Sequence, residues 1–254
     1  MKFRPTAVVP LVLASALALT ACGSKDDTAS GTKPAAPVSA APAASSAPAA
    51  SALDALTGEQ ILKKAQAALK SAKSYHVAGT MVDEGEKISL DLKIAGTDTV
   101  GFLQMKGGKI ELLSVGKQKF FRPNPGFWTQ QLGNDGKAVA KLVGTRWVKI
   151  DPSDKDTAAM FEITNMAETL TADGPVKKTT TKVIDGKKAQ GLTDSVDGSN
   201  GTLYVATEGE PYPLRLEGPK PADGSLNFTE FGKTFTEIKA PAAADVFDMK
   251  SMGK

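Results

Sequence analysis

Between Tyr75 and Arg122 the chain is cut into short apolar segments by junctions of only a few residues, most of them carrying glycine. In the clearest segment Ile88, Leu90, Leu92 and Ile94 alternate with Ser89, Asp91 and Lys93. A period of two puts the apolar residues on one face of a strand and the polar ones on the other. Tyr75–Val82, Val100–Lys106, Ile110–Ser114 and Lys117–Arg122 read as strands as well. Parallel neighbours need crossovers of a dozen residues or more, so this stretch predicts an antiparallel meander. Strands resume after Gly174-Pro175: Val176–Ile184, Lys188–Thr193, Thr202–Thr207, Leu214–Glu217, Ser225–Phe231 and Thr234–Ile238. Asp185-Gly186 is a strong hairpin signal within that second set.

Helices are expected in three places. Thr57-Gly58-Glu59-Gln60 is a capping box, and Ile61, Leu62, Ala65, Ala68, Leu69 and Ala72 follow it at helical spacing. A short helix carries Ala138, Val139, Leu142 and Val143 and stops at Gly144, and Arg146–Ile150 then reads as a strand. Ser153 to about Leu170 predicts a second long helix with Ala159, Ile163, Met166 and Leu170 on one stripe. The fold class expected is α+β, a curled antiparallel sheet of about ten strands covered by two or three helices. Helices about 10 Å wide cannot seal so wide a sheet completely. The expectation is therefore an apolar cavity bordered by Leu90, Leu92, Ile94, Leu103, Leu203, Val205, Leu214 and Leu216.

None of this applies to the first 52 residues. Lys2 and Arg4 precede 14 uncharged residues, Thr6 to Leu19, too few for an ordinary span of about 20. A basic start and a short apolar run read as an export signal, residues 1–21. It ends in Leu19-Thr20-Ala21-Cys22-Gly23, which resembles the lipobox of bacterial lipoproteins and makes Cys22 the lipid attachment point. The bland reading is a plain secretory signal that happens to precede a cysteine. A diacylglyceryl group supplies the two chains that stable anchoring needs, so the lipobox implies a lipid-anchored protein on the extracytoplasmic face of the cell membrane. In residues 24–52, Ala, Ser and Pro fill 21 of 29 positions. Such a segment cannot bury enough surface to offset its ordering entropy. Residues 22–52 therefore read as the lipidated Cys and a tether of about 30 Å as a coil and up to ~95 Å extended. Residues 53–254 read as the globular domain, expected to be the ligand-binding one.

Composition narrows the chemistry. One His, His76, and one Cys, Cys22, rule out zinc sites with several His and Cys ligands, iron–sulfur ligation and internal disulfides. Without Lys2 and Arg4 there remain 29 basic against 28 acidic residues. This near-neutral body carries no basic stripe for a nucleic acid. No Gly-x-Ser-x-Gly elbow presents a nucleophile to His76. Gly107-Gly108 reads as a turn, and Asp83-Glu84 and Asp154/Asp156 are not spaced as a calcium loop. No catalytic residue, metal or cofactor is expected. Phe120, Phe121, Phe127, Trp128 and Trp147 read as core, or else as a lid beside an apolar pocket.

Gly201-Thr202-Leu203-Tyr204-Val205 with Tyr212-Pro213-Leu214-Arg215-Leu216, and Asn227 to Lys233 with Ile238-Lys239-Ala240-Pro241, carry a family resemblance. Over roughly residues 56 to 247 the chain resembles the actinobacterial lipoproteins of the LppX/LprG type, themselves similar in fold to the periplasmic carrier LolA. That resemblance implies a half-open β-barrel covered by helices around an apolar cavity for acylated lipids. The expected function is thus a membrane-anchored envelope lipoprotein that binds, and in one version carries, a lipid or other apolar ligand. Its expected partners are the membrane through Cys22 and that ligand, with an envelope protein left open. The alternative is a non-catalytic interaction or signalling module with a closed core.

Overall fold

The computed structural model describes residues 53–83, 85–106, 108–151, 160–194 and 200–248. The export signal, Cys22 and the tether lie outside the described residues, as do Glu84, Gly107, Asp154, Asp156 and the first part of the predicted second long helix.

The first meander is β1 (Ser74–Asp83), β2 (Glu86–Ala95), β3 (Asp98–Met105), β4 (Gly108–Val115) and β5 (Gln118–Pro123), followed by β6 (Trp147–Lys149). The second is β7 (Lys177–Ile184), β8 (Lys187–Thr193), β9 (Thr202–Ala206), β10 (Pro213–Glu217) and β11 (Gly224–Thr229), and β12 (Val246–Asp248) comes last. All twelve join one sheet in the order β12-β6-β5-β4-β3-β2-β1-β11-β10-β9-β8-β7. Every neighbouring pair is antiparallel except β12 on β6. Asp185 (φ 49°) and Gly186 (φ 80°) turn the β7–β8 hairpin with left-handed backbone, as the Asp-Gly pair predicts.

The class is α+β, but the sheet has twelve strands, not about ten, and is neither closed nor strongly curled. The half-open barrel is therefore not what forms. The two meanders meet at β1 and β11 in the middle of the sheet, so β12 and β7 finish at opposite edges with no pairing between them. Edge strand β7 presents Lys177, Lys178 and Lys182 to water, charge that discourages further pairing.

Cross-strand register builds the core. One row runs Phe247, Val148, Phe121, Leu112, Gly101, Leu92, Val77 and Phe228 across eight strands. The next runs Ile110, Leu103, Leu90, Gly79, Leu226, Leu216, Leu203 and Leu192. The helices lie on this face. α1 (Gly58–Ser71) is closed at its start by the predicted box: Gln60 N–H donates to Thr57 Oγ1 at 3.3 Å, and Thr57 N–H to Gln60 Oε1 at 2.9 Å. It buries Ile61, Leu62, Ala65, Ala68 and Leu69.

α2 (Pro125–Leu132) is a helix outside the three places where the sequence predicts one. Asn124 caps it, accepting from Phe127 N–H at 3.0 Å, and Pro125 sits at its first position, where a missing N–H costs nothing. α3 (Asp135–Val143) ends at Gly144 as expected. The predicted second long helix is not continuous over its described part. Glu162–Thr164 is a 3₁₀ turn, Asn165 (φ −90°, ψ 62°) breaks the run, and α4 spans only Met166–Thr169. Ile163-Thr164-Asn165 are poor helix formers in sequence, and the Thr164 hydroxyl bonds back to the Phe161 carbonyl at 2.6 Å.

Two further expectations are corrected. Thr234–Ile238 is not a strand. Glu230 (φ 56°) and Gly232 (φ 75°) turn the chain away, and Gly232 N–H donates to the Ser74 carbonyl at 2.8 Å. Leu214 does not share a face with Leu216. A bulge between Pro213 and Arg215 inserts one extra residue into β10, so Leu214 packs with Ile184, Ala189, Tyr204 and Ala206 instead.

Candidate functional site

The residues expected to border a cavity at the centre of the sheet are buried. Leu90, Leu92, Ile94, Leu103, Leu203, Val205 and Leu216 all belong to one packed cluster with α1, and Leu92, Leu203 and Val205 are 0% exposed. Open space lies to one side. A cleft of about 480 Å³ is bordered by the last turn of α1 (Leu69, Lys70) with Ala72, by Tyr75, by the β2–β3 turn (Gly96, Thr97), by Ser114, Gly116 and Lys119, and by Phe161, Thr164, Asn165 and Ala167.

Register explains its floor. Tyr75 pairs with Ile94, Ile94 with Thr99, Thr99 with Ser114 and Ser114 with Lys119. These five form a third row on the helix-covered face. Tyr75, Ser114 and Lys119 border the cleft, and Ile94 and Thr99 lie between them. Of the eight expected cavity residues, only Ile94 belongs to this row, and none borders the cleft.

The row mixes apolar and polar chemistry. Ser114 Oγ donates to the Thr97 carbonyl at 3.2 Å. Lys119 Nζ lies 5.1 Å from the centre of the Phe161 ring, in cation–π range. Lys70 pairs with Glu168 at 3.6 Å, both largely exposed. Burial pushes the Tyr75 phenol well above its ordinary value, and a backbone hydrogen bond with Met166 only partly offsets this.

The sign of that shift gives a prediction. An unfolded tyrosine ionises near pH ~10. Folded Tyr75 keeps its proton beyond that, so its contribution to stability is full below about pH 10 and falls as pH rises further, by up to ~1.4 kcal/mol per pH unit. Tyr75→Phe should flatten this alkaline loss, read as urea midpoints across the alkaline range. An unchanged slope would refute the assignment.

Thr99 and Ser114 were detectable as polar residues in phase with the inward positions Gly101, Leu103, Ile110 and Leu112. The aromatic group does not form a lid. Trp128 is buried, edge-on to Phe127 and tilted against Phe121, so it fixes α2 to β4 and β5. Arg122 covers Trp147.

His76 points to the opposite face. Its Nε2 lies 2.8 Å from Asp91 Oδ1, and its Nδ1 lies 3.5 Å from Thr229 Oγ1 and 3.8 Å from Glu230 Oε2. The ring bridges β1, β2 and the end of β11. Nearby, the Lys233 ammonium holds the Glu230 carboxyl below its usual range, and Lys93 does the same for Glu237. Leu214 borders a second, outer-face cleft of about 370 Å³ beside Tyr212, which stacks on Phe231 at 4.0 Å. Among the described residues no three or more His, Cys, Asp or Glu side chains are grouped to hold a metal, and no helix is long and apolar enough to cross a membrane.

No family model matches the chain, and no curated protein sequence does. Among solved structures it is similar to an uncharacterized conserved protein from Thermus thermophilus, at 12% identity and a TM-score of 0.38, over 75% of this chain and 98% of that one. A likeness at that level carries no functional assignment.

Proposed function

We propose that this chain is a non-catalytic envelope lipoprotein, held at the extracytoplasmic face of the membrane by Cys22, that binds a lipid-like ligand. The lipobox and the resemblance to LppX/LprG-type lipoproteins support the anchor and the class. The cleft at the end of α1 is the observation that carries the binding role. Its volume, about 480 Å³, lies in the range of small-molecule sites. Leu69, Tyr75 and Phe161, all largely buried, border it beside Lys119 and Ser114. Moving an acyl chain through water costs about 0.8 kcal/mol per CH₂, so a sheltered cleft on a tether is a physically sensible carrier.

The second reading, an interaction module with a closed core, is favoured by the sealing of Leu92, Leu203 and Val205. One experiment separates the two. Organic extracts of the purified protein are examined by mass spectrometry, and apolar-dye binding is compared with that of Ala72→Trp, which fills the cleft from its rim. Ligand binding predicts a co-purifying lipid and a loss of dye affinity of about tenfold, or ~1.4 kcal/mol, at unchanged Tm. No extracted lipid and no dye binding by the parent protein would leave the interaction module. In the same preparations, Cys22→Ala should release the protein from membranes, and retention through a high-salt wash would refute the anchor.

A further inference from the structure

Beyond the export signal the chain is close to neutral, but its charge is not spread evenly. The β7–β8 hairpin, residues 177–193, carries Lys177, Lys178, Lys182, Lys187 and Lys188 against one acid, Asp185, which leaves 24 basic and 27 acidic residues in the rest of that chain. All five lysines are exposed. Among the described residues only Lys182 of the five meets a carboxylate, Glu217 at 2.6 Å, while Asp185 lies 3.8 Å from Arg215. β7 is the last strand of the sheet, so the hairpin is an outer rim rather than a patch within a face. Val183, the most exposed large apolar side chain among the described residues at 67%, pairs with Lys188 in that rim.

A second observation concerns where the domain begins. The Lys178 ammonium donates to the Asp54 carbonyl at 2.8 Å. Gly58, the first residue of α1, lies so close to the entry of β7 that a Cβ there would stand 2.4 Å from the Val176 carbonyl oxygen. The 31 residues from Cys22 to Ala52 therefore join the domain beside the lysine rim. We infer that this rim docks on the anionic phosphate headgroups of the membrane that holds the other end of the tether, with Val183 entering the interface between the lysines. Each lysine near an anionic bilayer raises the docked population about fivefold. A weak surface is enough, because a short flexible linker holds its domain at an effective concentration in the millimolar range. The charge that keeps other strands off this edge thereby sets which side of the domain faces the bilayer. The inference rests on the reading of Cys22 as the anchor, which is what places a membrane at the end of the tether.

The test places the lipidated protein in vesicles of phosphatidylcholine alone, or of equal parts phosphatidylcholine and phosphatidylglycerol. Lipidation occupies the thiol of Cys22, the chain's only cysteine. A fluorophore can then be put on Val183→Cys or, as a control before β6 near the opposite edge, on Thr145→Cys. Spin-labelled headgroups quench whichever label approaches the bilayer. The label at 183 should be quenched on the mixed vesicles and not on the neutral ones, and the label at 145 on neither. The ratio of docked to free protein should fall about fivefold for each of Lys177→Gln, Lys187→Gln and Lys188→Gln. On the parent, salt near ~1 M, where the Debye length is about 3 Å, should remove the docking altogether. Equal quenching at 183 on both vesicles, or none on either, with the protein still attached, would overturn the inference and leave the anchor standing. Protein stripped from all vesicles by high salt would refute the anchor. If that protein had bound the mixed vesicles alone at low salt, the lysine rim would still be supported, and if it had bound neither, both readings would fail.

Discussion

Gly101→Ala is expected to cost ~4 kcal/mol or more, enough to leave little folded protein in a domain of ordinary stability. Gly101 lies in β3 between Leu92 and Leu112 in the first core row, with φ at 155°. A Cβ there would stand 1.9 Å from the Asp91 carbonyl oxygen and 2.8 Å from Leu92 Cα. Both are backbone atoms of β2, which is held on its other side by β1. No flexible side chain can swing aside, so relief requires breaking the β2–β3 ladder. Gly116→Ala is the control. Its φ of 59° is strained for alanine, but a Cβ there meets nothing within 4 Å. It should cost only the left-handed backbone term, ~1–2 kcal/mol. Urea midpoints of the two variants decide the matter, and a Gly101→Ala protein as stable as the Gly116→Ala control would show that the sheet yields far more easily than its register implies.

At Leu92 and Val205 both shrinking and enlarging the side chain should destabilise. Leu92→Ala removes a fully buried side chain from the middle of the core and should cost ~2–5 kcal/mol. Val205→Trp adds a ring at a position that is 0% exposed, and overpacking a closed core costs ~1–3 kcal/mol or more. Both residues are fully buried members of the main cluster. A central cavity would give the opposite pattern, with the tryptophan tolerated. Thermal melts of the two variants beside the parent measure this directly. A Val205→Trp domain with unchanged Tm would reopen the case for a cavity at the sheet centre and weaken the assignment of the ligand to the cleft at the end of α1.

Local chemistry was readable wherever it acts over a few residues. The Thr57–Gln60 box, the period-two alternation of Ile88 to Ile94, the Asp185-Gly186 turn and the stop at Gly144 each appear in the fold as the residues predict. Their causes are short-range: a hydroxyl reaching an amide three residues on, alternate side chains on a pleat, a left-handed turn that asparagine, aspartate and glycine tolerate best. The α2 cap was equally local, and Asn124-Pro125 carried its signal in plain sight. The broken segment at Asn165 likewise follows from poor helix formers in sequence, which an apolar stripe alone conceals.

Tertiary structure decided what depends on which strands meet. An antiparallel meander does not say whether its ends find each other, and the central pairing of β1 with β11 settled an open sheet over a barrel. One residue inserted in β10 moved Leu214 to the other face, because side-chain direction in a strand has a period of two. Inward-facing apolar residues are the same set whether they line a cavity or fill a core, so all eight expected cavity residues could be identified as buried, seven of them in the main cluster, without revealing what covered them. The cleft arises where α1 ends and Phe161 to Ala167 replace it over the row from Tyr75 to Lys119. Those segments lie far apart in the chain, and only packing brings Phe161 over Tyr75, Ser114 and Lys119, since register, unlike pattern, is a property of pairs of strands.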